Sequence, residues 1–214
     1  GRTTAWLKFN YILPATAAAK QSYCAMRQQQ DTPHVRPANK FVSHAYDYLF
    51  LDVVDAVVAW EAHQEGEGSG PFYYYFDLLV VNQHGQGAVV PFEVLRDEFG
   101  ESVRAIGRTL LYLRWGNPIP LGRAWCVFEM ATTLAVGASM KVLMPPVDVA
   151  ALNTALNALI ARDLVVSTSF ITDAELEAKP ELVKTMSVRP PMGQGQVRLV
   201  QIGDIDLQPC GGTH

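Results

Sequence analysis

Residues 108–130 read RTLLYLRWGNPIPLGRAWCVFEM. An apolar strand candidate, RTLLYLRW, runs into a loop, and the helix that follows opens on Trp125 and Cys126 and carries Glu129. That helix pattern, AWCVFEMATTLAV, is closed by Gly137, and a further strand candidate, SMKVLMP, starts at Ser139. One strand–helix–strand unit is therefore complete within about forty residues, which fits a parallel crossover.

The same cadence extends toward the N-terminus. KFVSHAY (40–46) reads as a short buried strand. In LFLDVVDAVVAWEAH (49–63), Leu49, Val53, Val54, Val57, Val58 and Trp60 form a helical stripe, and GEGSG (66–70) reads as a flexible turn. PFYYYFDLLVVN (71–82) is aromatic and β-branched and is read whole as a second strand, followed by a helix over PFEVLRDEFGESVRAIG (91–107). Strand and helix alternate four times. The expectation is an α/β domain: a flavodoxin-like parallel sheet with helices on both faces and any ligand site at the carboxyl edge of the strands. Upstream, PATAAAKQSYCAMRQQQ (14–30) is rich in helix formers, and DTPHVRPAN (31–39) reads as a linker.

After Pro145 and Pro146 the character changes. DVAALNTALNALIARD reads as a helix with Asp148 as its cap, VVSTSF as a short strand, and TDAELE as a helix start with a capping box between Thr172 and Glu175. QVRLVQIG and IDLQP read as an antiparallel hairpin around Gly203 and Asp204. A small α+β C-terminal segment is expected. For the hairpin, addition of Val197–Leu207 to an edge of the parallel sheet is favoured, because VRLVQI alternates apolar and polar residues and has one face to bury.

Bulk composition narrows the function classes. Of 214 residues, 49% are apolar, and 17 basic residues stand against 21 acidic ones, a net charge of −4. Such a chain has no general attraction to nucleic acid or anionic lipid. Its 3 cysteines (Cys24, Cys126, Cys210) are well separated, which argues against a disulfide framework and suits a reducing compartment. No apolar run is long enough to span a bilayer, and the opening segment, with Lys8 and Asn10 inside it, reads poorly as a signal peptide. A cytoplasmic protein with no membrane partner is expected.

Three blocks in order, F-V-S-H at 41–44, N-Q-H at 82–84 and R-A-W-C-x-x-E at 123–129, resemble a divergent branch of the TIR-like domains over about residues 40–146. The resemblance implies a small-molecule nucleotide ligand and hydrolysis of NAD at its nicotinamide–ribose bond, with Glu129 as the catalytic carboxylate. A carboxylate suits that reaction because bond cleavage builds oxocarbenium character on the ribose. Ser43 and His44 fall at the carboxyl end of the first strand and Trp125 at the helix start; these three are the expected nucleotide-binding residues. The family also contains members that only self-associate, so a non-catalytic signalling module and homo-oligomer is the alternative.

The last stretch carries a second resemblance. Residues 152–214, ending on D-L-Q-P-C-G-G-T-H, are similar to the C-terminal half of an alanyl-tRNA editing domain. In that family a C-x-x-x-H pair joins an H-x-x-x-H pair to hold zinc. Cys210 and His214 match the former and imply zinc and a tRNA partner. The latter is absent, because no two of His34, His44, His63, His84 and His214 are four apart. Two ligands do not make a tight zinc site. The chain thus divides into an N-terminal helix and linker (1–39), a TIR-like domain (40–146) and a partial editing-like segment (147–214), reading as a join of unrelated pieces near Val147 to Leu159.

Overall fold

A computed structural model of the chain describes residues 1–30, 33–64, 71–84, 92–184, 192, 193 and 195–210. The GEGSG turn expected at 66–70 lies outside them. Two compact units are present, Gly1–Leu152 and Asn153–His214.

In the first unit, β1 (Lys40–Ser43), β2 (Tyr74–Phe76), β3 (Arg108–Tyr112) and β4 (Ser139–Leu143) form a parallel sheet in the order β2-β1-β3-β4. In register, Phe41 faces both Tyr75 and Thr109, and Leu111 faces Val142. Alternation along the strands sorts side chains onto two faces. Val42, Phe76, Leu110, Tyr112 and Leu143 pack with Val53, Val57 and Trp60 of the helix Phe50–Ala62. On the opposite face, Phe41 meets Phe99 of the helix Phe92–Ile106 at 5.2 Å, and Ser43 and Thr109 bond to the helix Ala124–Ala135. The sheet is doubly wound, as the alternating pattern predicts. Strand order reverses between β1 and β3, so the ligand crevice belongs at their carboxyl ends.

The helices are numbered along the chain. α1 (Thr4–Leu7), a wide π turn (Lys8–Ile12) and α2 (Leu13–Thr16) form one N-terminal helical run, followed by α3 (Tyr23–Gln29). The helix expected from Pro14 is broken at Lys20, whose φ is +48°. α4 is Phe50–Ala62, α5 Asp77–Val80, α6 Phe92–Ile106 and α7 Ala124–Ala135. α7 ends through Gly137 at φ +72°, a left-handed position that favours glycine.

The expected second strand is much shorter than 71–82. Only Tyr74–Phe76 pairs with β1, and the chain then turns into α5, whose first residue, Asp77, accepts the Leu78 N–H at 2.7 Å. Apolar content makes DLLV look like strand, but an acidic residue such as Asp77 also suits the first turn of a helix, where it meets the positive end of the dipole. Asp148 also differs from expectation. α8 (Pro146–Ile160) starts two residues before it, and its carboxylate accepts from Arg114 Nε at 2.8 Å and Trp115 N at 2.9 Å.

The second unit contains β5 (Val166–Ile171), β6 (Val197–Ile202) and β7 (Asp206–Pro209), antiparallel in the order β5-β6-β7. The hairpin around Gly203 is present, with that glycine at φ +49°. It does not add to the parallel sheet. Its partner is β5, with Val166 opposite Ile202 and Ile171 opposite Val197. One face buries Val197 and Leu199, and Leu176 of α9 (Asp173–Glu177) is buried too. The capping box between Thr172 and Glu175 opens α9 as expected.

Two tyrosines with opposite hydrogen-bond status allow a test of this core. The Tyr48 hydroxyl donates to Asn117 O (2.6 Å) and accepts from Ile119 N (3.0 Å), whereas the fully buried Tyr112 hydroxyl has no partner among the described residues. Tyr48→Phe should cost about 1–3 kcal/mol by orphaning the loop, while Tyr112→Phe should be neutral or stabilising by about 1 kcal/mol. Denaturant titrations of both variants check this.

Candidate functional site

The sheet topology and the helix after β3 bring all four expected residues to one place. Glu129 lies one turn into α7 from Trp125, on the side facing the sheet, and is 4% exposed. The Ser43 hydroxyl at the end of β1 donates to its Oε2 at 2.5 Å. Trp125, four residues earlier on the helix, lines the same cavity and helps to favour the charged carboxylate. One turn further on, the Thr133 hydroxyl donates to the Glu129 carbonyl at 2.8 Å and meets Thr109 Oγ1 of β3 at 2.8 Å. Those contacts fix the register of α7 on the sheet.

Next to Glu129 opens a cavity of about 320 Å³. Glu129, Asp77, His44, Tyr46 and Gln83 line it with polar groups, Tyr75, Phe99 and Trp125 with aromatic ones, and Lys8 and Arg123 with cations. Ser43 is buried behind Glu129, so it serves the carboxylate. His44 lines the cavity but its Nε2 lies 3.2 Å from the hydroxyl of Thr4, also buried. Trp125 is 43% exposed, with its ring 5.7 Å from Phe99, and gives the cavity a large π surface.

Electrostatics follow from burial. Burial pushes the Glu129 carboxyl up to about 8; the charge of Asp77 adds to that, and the hydrogen bond from Ser43 and the Trp125 side chain oppose it. Asp77 is likewise raised by burial and lowered by bonds from Tyr46 and Leu78 N and by the charge of Lys8. Burial lowers His44 to about 3, so its imidazole is neutral at physiological pH. Burial, then the charge of Glu129, pushes the Cys126 thiol up to about 11. Its Sγ donates to His44 O at 3.6 Å, and it is a packed residue and no nucleophile.

Asp77, Tyr46 and Lys8 were missed in the sequence. Asp77 was hidden inside an overlong strand, although a carboxylate directly after the strand ending at Phe76 sits where an α/β sheet puts its ligand. Tyr46 lies just past β1, and Lys8 lies in a segment read as a separate helix and linker. Neither has a local signal.

The expected metal ligands fare differently. Cys210 follows β7, and its N–H donates to Arg198 O at 3.0 Å. His214 lies outside the described residues. Among the described residues no three His, Cys, Asp or Glu side chains cluster to hold a metal ion. Nor is any described helix long and apolar enough to cross a membrane. No family model matches the chain, and no match is found among curated proteins or solved structures.

The raised Glu129 carboxyl has a stability consequence of definite sign. Its folded value, about 8, lies above the usual 4.5, so its contribution is fully present below pH 4.5 and is lost as pH rises to 8. His44 works oppositely, since stability is lost as pH falls from 6.5 toward 3. Above pH 6.5 only the glutamate slope of this pair remains. Wild type should lose up to about 1.4 kcal/mol per pH step between 6.5 and 8, and Glu129→Gln, which still accepts from Ser43, should flatten that limb. Melting temperatures across this window check it.

Proposed function

We propose that the first unit binds a nucleotide and hydrolyses NAD at the bond between nicotinamide and ribose. The observation that carries this reading is a buried carboxylate, Glu129, held by Ser43 at the carboxyl end of β1 and opening onto a cavity walled by Trp125, Tyr75 and Phe99. A flat heterocycle stacks on such walls, and a ribose placed beneath it meets the carboxylate.

The chemistry balances without a further reagent. The bond between ribose C1′ and the pyridinium nitrogen breaks, and its electron pair neutralises the departing nicotinamide ring. Positive charge develops on the ribose, and ionised Glu129 stabilises it across a site of low dielectric. Water adds at C1′ and releases a proton. The departing ring leaves neutral, so no general acid is required. The form of Glu129 that works is the carboxylate, which burial disfavours in the empty site. The pyridinium cation of the substrate favours ionisation, so the substrate itself activates the residue.

The alternative is a module that acts by self-association. What supports it is the outer side of α7, where Val127 and Leu134 are 43% and 64% exposed.

Nicotinamide release from NAD separates the readings. Under the hydrolase reading, kcat rises with pH along a single limb with a midpoint near or below about 8. Glu129→Gln lowers kcat by about a hundredfold or more, with a smaller change in KM. Turnover that is absent in wild type, or equal in wild type and Glu129→Gln, overturns the hydrolase reading in favour of association.

A further inference from the structure

The N-terminal helical run is part of the cavity. Its first residues are pinned to the loop after β1: Thr4 N donates to Tyr48 O at 3.0 Å, Ala5 N to Tyr46 O at 2.9 Å, and Phe50 N to Arg2 O at 3.0 Å. Its end and the residues just beyond it are pinned to the segment after α5. Thr16 Oγ1 meets His84 Nε2 at 2.7 Å, and Asn82 Nδ2 donates to Lys20 O at 2.9 Å. The run therefore bridges the ends of the two strands that build the site, and Lys8, between the two anchor points, lines the cavity. Lys8 opens the π turn Lys8–Ile12. Such turns interrupt the regular helical ladder and recur at functional sites.

Charge in the cavity has a direction. Glu129, Asp77 and Lys8 line the same cavity, where the charge of Asp77 acts on Glu129 and the charge of Lys8 acts on Asp77. Asp77 is already engaged by the Tyr46 hydroxyl and the Leu78 N–H. The second cation of the lining, Arg123, is held by Asp47 at 2.8 Å. Lys8 rests over the Phe9 ring at 5.7 Å and has a compact, strongly hydrated charge on a flexible stem. A ligand complementary to this arrangement has a cationic or hydroxyl-rich end at Glu129 and an anionic group at Lys8.

We infer that Lys8 is a phosphate-binding residue of the cavity and that the ligand is recognised through a phosphate or pyrophosphate attached to its ribose. This deepens the nucleotide reading above and rests on it for the identity of the ligand, whereas the anion subsite rests on the position of Lys8 alone. Nucleosides without phosphate are then poor ligands.

The test uses the full chain with inorganic pyrophosphate as probe, followed by calorimetry, beside NAD turnover. Pyrophosphate should bind wild type, more weakly as salt rises, should lose about tenfold in affinity in Lys8→Ala and should be retained by Lys8→Arg. KM for NAD should rise similarly in Lys8→Ala, while KM for nicotinamide riboside should not change. No pyrophosphate binding to wild type, or equal affinity in wild type and Lys8→Ala, overturns the inference. Binding through Lys8 with no NAD turnover sinks the hydrolase reading and leaves the phosphate subsite standing. Turnover of NAD with unchanged KM in Lys8→Ala does the reverse.

Discussion

A carboxylate removed from water must be either neutral or matched by donors. Glu129 is placed under that constraint by the fold, and the hydrogen bond from Ser43 is the partial answer. The bond joins the carboxyl end of β1 to the inward side of α7, two elements 86 residues apart in sequence. For it to form, Ser43 must alternate onto the same sheet face as Phe41 and Thr109, and α7 must dock with Glu129 and Thr133 pointing inward. The doubly wound sheet supplies both conditions. The cavity opens in the crevice that the reversal of strand order creates, with Asp77 arriving from β2 on one side and Trp125 from α7 on the other.

Much of that frame was legible in the sequence. Strand β3, the loop and α7 are written in RTLLYLRWGNPIPLGRAWCVFEM, and the left-handed Gly137 ends the helix where expected. Periodicity found α4 to within a residue, and the capping box at Thr172 needed only local chemistry. Failures came where a nonlocal partner decided the outcome. FDLLVV has strand composition, yet pairing with β1 stops at Val42 and Phe76, and Asp77 opens a helical turn. The alternation in VRLVQI correctly marked one buried face, but pattern alone does not name a partner, and β5 was nearer than the parallel sheet in sequence. Asp148 looked like a cap because caps are local, whereas Arg114 claims it from across the fold.

Within the candidate site the same division holds. Glu129, Ser43, His44 and Trp125 were visible because a motif or a strand end marked them, and the structure brings all four to one end of the sheet. Their roles sort differently from their positions. Ser43 serves the glutamate, neutral His44 is tied to Thr4, and only Trp125 offers an open face. Lys8 and Tyr46 come to the cavity through backbone bonds between the N-terminal run and the loop after β1, and no spacing rule forecasts that.

The ionisation of the Glu129 side chain can be observed directly. Carbon-13 NMR of the glutamate carboxyls, with the Glu129 signal assigned by its loss in Glu129→Gln, gives its titration in the free protein. The expected midpoint is about 8, moving higher in Ser43→Ala as the donor is removed, and lower when a pyridinium ligand is bound. A midpoint near the usual 4.5, insensitive to Ser43, would show that Glu129 is a solvated helix residue and contradict the account.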